Sequence, residues 1–227
     1  MNRALRILTS SLLLAAGVLT LSAQKKSTGR NPELDAMNNT ELITSLDLGK
    51  NADLVRQFQI KEATRLINGP FNPKTTGANV ETYRNKEVII ITIPADKLFA
   101  PNETQLSDKA AIYLTPLKRF LKPGEEDVWR VLLVMHTDNT GSEAYTDRLS
   151  MQRVESVFVW LQDAGASTSY LFPSARGASD PLNVTPEGGV KGANDTMQKR
   201  AANRRLEIYL IPGKKMLESA KKGRIAY

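Results

Sequence analysis

Cysteine is missing from all 227 residues, and histidine occurs once, as His136. A chain without thiols has no disulfide framework, so its fold must rest on an ordinary apolar core. It also has no cysteine to carry a lipid, which predicts no lipoprotein anchor. A single histidine leaves a zinc site without its usual donors. Asp138, Glu143 and Asp147 match no calcium-loop spacing. No metal and no cofactor is therefore expected. Aromatics make up only 6% of the residues, so the net charge of +7 comes without interleaved stacking platforms and does not point to nucleic acid. An anionic surface or polymer, or plain solubility, remains as the meaning of that charge.

Long hydrophobic runs are confined to the start of the chain. Arg3 and Arg6 precede the apolar stretch from Leu12 to Leu21, and Ser22-Ala23 follows as a small-residue cleavage site. The run falls short of the roughly 20 apolar residues that a membrane span needs, and the pattern is that of a secretory signal. Residues 1–23 are expected to be removed, leaving an exported protein.

Residues 24–80 read as an N-terminal segment, partly helical and then a linker. The helical part runs from about Asp35 to Leu66, with Leu42, Ile43, Leu46, Leu48, Leu54, Val55, Phe58 and Ile60 as apolar contacts and Gly49 as an interruption. Gly69-Pro70-Phe71-Asn72-Pro73 breaks it. Between 81 and 212 the signals sharpen. Strands are predicted at Glu87–Ile93, Val128–Met135, Tyr170–Arg176 and Arg204–Ile211. One helix starts at Ser107-Asp108 with Ile112, Leu117, Phe120 and Leu121 on its stripe and Pro116 inside it. A better one spans Tyr145 to Ala164 with Leu149, Val154, Val157, Phe158 and Leu161 facing inward. The tail 213–227, rich in lysine, reads as a solvated end. Strands alternating with helices imply an α/β sandwich of β-α-β-α-β-β order, one sheet with helices packed on it.

His136–Arg153, His-Thr-Asp-Asn-Thr-Gly-Ser-Glu-Ala-Tyr-Thr-Asp-Arg-Leu-Ser-Met-Gln-Arg, concentrates the chemistry. It offers no nucleophile elbow for a serine triad, and Asp138 and Glu143 share one short loop rather than facing each other across a cleft as glycan hydrolysis requires. A strand end that turns into a helix does, however, present an acid on the loop and an arginine two turns into the helix. Held apart, Asp138 and Arg153 would suit a ligand with one ammonium and one carboxylate. An Asp138–Arg153 salt bridge is the competing reading that spacing leaves open.

The same residues resemble the OmpA/MotB-type domain, whose pattern reads Gly-His-Thr-Asp-x-x-Gly-Ser-x-x-Tyr-Asn-x-x-Leu-Ser-x-x-Arg-Ala. Leu98-Phe99 to Leu106 is similar to its preceding element, and Asn203-Arg204-Arg205-Leu206-Glu207-Ile208 to its closing strand, so the resemblance covers about residues 87–211. It implies an OmpA-like two-layer α/β sandwich with a mixed sheet and helices on one face. It also implies non-catalytic binding of peptidoglycan through the diaminopimelate of stem peptides. In that reading Asp138 meets the ammonium and Arg153 the carboxylate, with support from Phe99, Thr140, Thr146, Leu149 and one of Arg204 or Arg205. The protein would act in the periplasm or at the outer membrane, with an envelope protein as a further partner. Residues 24–80 are too few for a membrane barrel. Met135, Thr146 and Val154 depart from the pattern. A wall-acting hydrolase and an interaction protein with a decayed pocket are the alternatives.

Overall fold

A computed structural model describes residues 48–182 and 192–225, all within one compact unit. The expected signal segment lies outside the described residues. So do Leu42, Ile43 and Leu46.

A 3-10 turn at Gly49–Asn51 leads into α1 (Ala52–Ile67), and the short α2 (Pro73–Thr76) follows. Gly49, expected as an interruption, has a φ of +51°, and α1 begins only after it, at Ala52. Then come β1 (Asn79–Tyr83), β2 (Val88–Pro94), α3 (Ala110–Leu114), β3 (Trp129–His136), α4 (Glu143–Asp163), β4 (Leu171–Gly177), α5 (Met197–Asn203), β5 (Arg205–Pro212) and α6 (Lys214–Lys221). The four predicted strands all form, each starting one residue later than its hydrophobic run. The sheet order is β1-β2-β5-β3-β4. Pairing is antiparallel throughout except between β3 and β4, which α4 joins as a parallel crossover. Pro173 is tolerated because β4 is an edge strand.

Alternation along the three central strands assigns the core. Ile89, Ile91 and Ile93 sit opposite Leu210, Ile208 and Leu206, which in turn face Val131, Leu133 and Met135. That face packs against Ala63 and Leu66 of α1, Leu114 and Leu117, and Val154, Val157 and Leu161 of α4. Each buried aliphatic side chain contributes about 1.5–3 kcal/mol relative to exposure. The fold class is the mixed α/β sandwich that the pattern implies.

Four expectations are corrected. The linker to residue 81 contains β1, whose Val80 alone is buried; a five-residue edge strand carries too little alternation to announce itself. The helix from Ser107 is short and tightens into a 3-10 stretch at Thr115–Phe120, with Pro116 near its start. The missing N–H and the ring of Pro116 interrupt the α-helical ladder. Ile112, placed on the buried stripe, is 62% exposed, while Tyr113 and Leu114 turn inward instead; Ile60 is likewise exposed. The lysine-rich tail is not a solvated end. It forms α6, whose Met216, Leu217 and Ala220 are buried, and Leu217 and Ala220 pack with Leu48 and Val55 of the N-terminal segment.

Candidate functional site

The motif strand and helix meet at a tight corner. Pairing continues past β3, since the Thr137 N–H donates to the Gly177 carbonyl at 2.8 Å. The chain then turns through 139–141 and enters α4, where the Ser142 hydroxyl accepts from the Tyr145 N–H and caps the helix. Ser150 is the buckle of the corner: its hydroxyl donates to the Asp147 carbonyl and accepts from the Gly177 N–H at 3.0 Å. Gly177 has φ +49°, and a Cβ there would lie 3.1 Å from the Asp147 nitrogen and 2.1 Å from its Oδ1, so the approach depends on glycine.

Asp138, 7% exposed, points into this corner. Its Oδ1 accepts from the Thr140 N–H at 2.9 Å and its Oδ2 from Arg204 Nη1 at 2.7 Å. Burial alone would raise its pKa, but the hydrogen bonds from Arg204 and Thr140 outweigh that and hold the carboxyl below the usual aspartate value. Arg204 also grips Asp96 with two parallel hydrogen bonds, at 2.8 and 2.6 Å. The Asp96 pairing first, and then Asp138, raises the Arg204 pKa above the ordinary arginine value.

Arg153, 3% exposed, is not locked onto Asp138. Its Nε donates to the Glu103 carbonyl at 2.8 Å and its Nη2 to the Ala100 carbonyl at 3.3 Å. The guanidinium lies 4.9 Å from the Phe99 ring centroid. Burial lowers its pKa from the ordinary arginine value. Its bonded partners are neutral, and no carboxylate among the described residues reaches ion-pairing distance. The loop that supplies the two carbonyls is closed by a bridge between Phe99 and Leu106 and by the Ser107 N–H on the Leu98 carbonyl. That closure is the structural meaning of the Phe-to-Leu spacing.

Asp138, Thr140 and Arg204 thus come together, while Arg153 and Phe99 form a second contact group. Leu149 is buried on the inner stripe of α4 and Thr146 turns its hydroxyl back to the Glu143 carbonyl. Arg205 does not join. It is buried, pairs with Glu207 at 2.8 Å and donates to the Asp180 carbonyl. Of the two arginines, Arg204 is the one that contacts Asp138. His136 is fully buried, 3.7 Å from Glu207, too far for a hydrogen bond, and burial lowers its pKa. Among the described residues no three acids or histidines converge as metal ligands would. Asp96 and Asn102 escaped the sequence reading. Asn102 has φ +61° and accepts a hydrogen bond from the Tyr145 hydroxyl at 3.1 Å.

These features define a mixed α/β sandwich with an acid and a base held apart at the carboxyl end of a central strand. Its kin are recognisable. The OmpA family pattern matches residues 98–204. The chain is 30% identical over 139 residues to the probable lipoprotein YiaD of Escherichia coli (strain K12), covering 61% of this chain and 58% of that one. It is 32% identical over 115 residues to the outer-membrane lipoprotein YfiB of Pseudomonas aeruginosa, covering 51% and 61%. The chain therefore spans little more than half the length of these curated relatives. A putative MotB-like protein from Desulfovibrio vulgaris shares the fold with a TM-score of 0.55 at 22% identity, covering 77% of this chain and 95% of that one. The cell wall anchor of the T6SS from Pseudomonas aeruginosa does so with a TM-score of 0.52 at 23% identity, covering 65% and 95%. Residues 98–204 are an OmpA family domain.

Proposed function

We propose that this protein is a non-catalytic peptidoglycan-binding module that reads the diaminopimelate of stem peptides and holds an envelope component at the wall. The observation that carries the reading is that Asp138 and Arg153 are both nearly buried yet do not neutralise each other. Each Asp138 oxygen has accepted one hydrogen bond and keeps a second acceptor direction for an ammonium. Arg153 keeps its Nη1 donors for a carboxylate. Their small exposure suits a side-chain head entering end-on rather than a polymer lying flat. The matched family and the relatives named as outer-membrane or wall-anchor proteins support the same reading. Export to the periplasm follows from the signal expected at residues 1–23. Among the described residues no helix is long and apolar enough to cross a membrane.

The test is sedimentation with purified sacculi. Asp138→Asn and Arg153→Gln should each weaken binding about tenfold or more, since a hydrogen bond to a charged group contributes roughly 1.5–3 kcal/mol, with thermal melts confirming that both variants fold. Walls cross-linked through lysine lack the side-chain carboxylate and should bind poorly. Two folded variants that bind like wild type would sink the assignment, and release of soluble muropeptides would replace it with a hydrolase.

A further inference from the structure

Asp138 alone does not explain how an ammonium would be attracted, because Arg204 already sits on it at 2.7 Å. An Asp138–Arg204 pair by itself is neutral. A cation approaching a neutral pair gains little, since the arginine repels what the carboxylate attracts. The geometry supplies a third charge. Asp96 binds the other edge of the same guanidinium, through Nε at 2.8 Å and Nη2 at 2.6 Å. Two carboxylates now share one arginine, and the cluster carries one net negative charge. Arg153, bonded to the carbonyls of Ala100 and Glu103 and to no carboxylate among the described residues, carries one net positive charge.

We infer that Asp96 is a specificity-determining residue of the diaminopimelate site: by holding Arg204 from behind, it leaves the Asp138 side net negative and able to select an ammonium. This inference rests on the function proposed above. Asp96 acts through Arg204 and is a positioning residue, with no contact to the ligand required. Its placement is built into the fold. The Ala95 N–H donates to the Arg204 carbonyl at 2.9 Å, so the start of the 3-10 turn after β2 is fastened beside the end of α5. Asp96 also lets Arg204 yield when a ligand arrives. The guanidinium keeps two charged hydrogen bonds to Asp96 if its bond to Asp138 lengthens, so no cation is stranded. The Asp96 side chain is 53% exposed, which makes its influence moderate and sensitive to salt.

The test uses the whole protein and two probes, a muramyl tripeptide carrying diaminopimelate and the same tripeptide with the side-chain ammonium replaced by a hydroxyl. Wild type should prefer the amine by about tenfold or more, as a charged hydrogen bond implies. Asp96→Asn should cut that preference to about threefold or less while leaving affinity for the hydroxyl probe within about twofold, and Asp96→Glu should restore it. Raising salt should narrow the wild-type preference more than that of Asp96→Asn. Equal losses for both probes would make Asp96 merely structural and overturn the inference, as would an unchanged preference. Wild type that binds neither probe would instead sink the function on which the inference stands.

Discussion

Arg204 and Arg205 are neighbours in the chain and opposites in the molecule. Arg204, the residue that follows α5, spreads its guanidinium between Asp96 and Asp138 at a half-open corner. Arg205, the first residue of β5, turns to the other side of the sheet, where it is sealed with Glu207, His136 and the Tyr209 hydroxyl. In the sealed group burial opposes ionisation of Glu207, yet the Arg205 guanidinium and the Tyr209 hydroxyl hold its pKa well below the usual carboxylate value. The open cluster leaves a charge over and the sealed one does not export any. The difference teaches that the same side chain keeps its charge open to the surroundings where water reaches it, and spends it on the fold where water does not.

The comparison breaks most visibly in stability. Arg205→Gln should cost about 3–5 kcal/mol in urea unfolding, because Glu207 is left charged and buried beside it, whereas Arg204→Gln should cost less, about 1–2 kcal/mol, because Asp96 is half exposed and Asp138 keeps its hydrogen bond from Thr140. Equal losses would erase the distinction between the two clusters.

A smaller effect comes from pH. Burial holds the folded-state pKa of His136 below its ordinary value. As pH falls through about 6.5 the unfolded chain takes up a proton that the folded protein refuses, so stability falls toward acid. Between pH 7.5 and 5.5 wild type should lose about 1 kcal/mol that His136→Asn keeps, measured as the difference between their urea midpoints at the two pH values. A variant with the same pH slope as wild type would show that His136 does not titrate on unfolding.

Salt should produce the smallest separation. Going from 50 to 500 mM should weaken sacculus binding by about two- to threefold, since the corner charges are partly exposed. The contribution of the Arg205–Glu207 pair, measured by a double-mutant cycle in urea, should stay nearly constant because ions do not reach it.

Much of this was legible beforehand. Runs of β-branched and apolar residues announced the four longer strands, and Leu149, Val154, Val157 and Leu161 marked the inner face of α4, because these patterns are local. The edge strand β1 was not legible, since five residues with one buried position look like a linker. Nor was α6: a lysine-rich stretch reads as solvent-facing until Leu217 and Ala220 find Leu48 and Val55 to pack against and Met216 joins the main core. At the site, Asp138 and Arg153 stand in a motif, but Asp96 lies 108 positions from Arg204 and no spacing rule connects them.

Sequence alone settled where four of the five strands and the long helix run and which acid and base carry the motif, since side-chain patterns and short motifs are properties of neighbours along the chain. Tertiary structure decided that Arg153 rests on carbonyls rather than on Asp138, that Arg204 and not Arg205 enters the corner, and that Asp96 stands behind it. Those outcomes depend on which way a strand end faces and on what a distant turn brings alongside, and charge pairing is settled by that proximity in space.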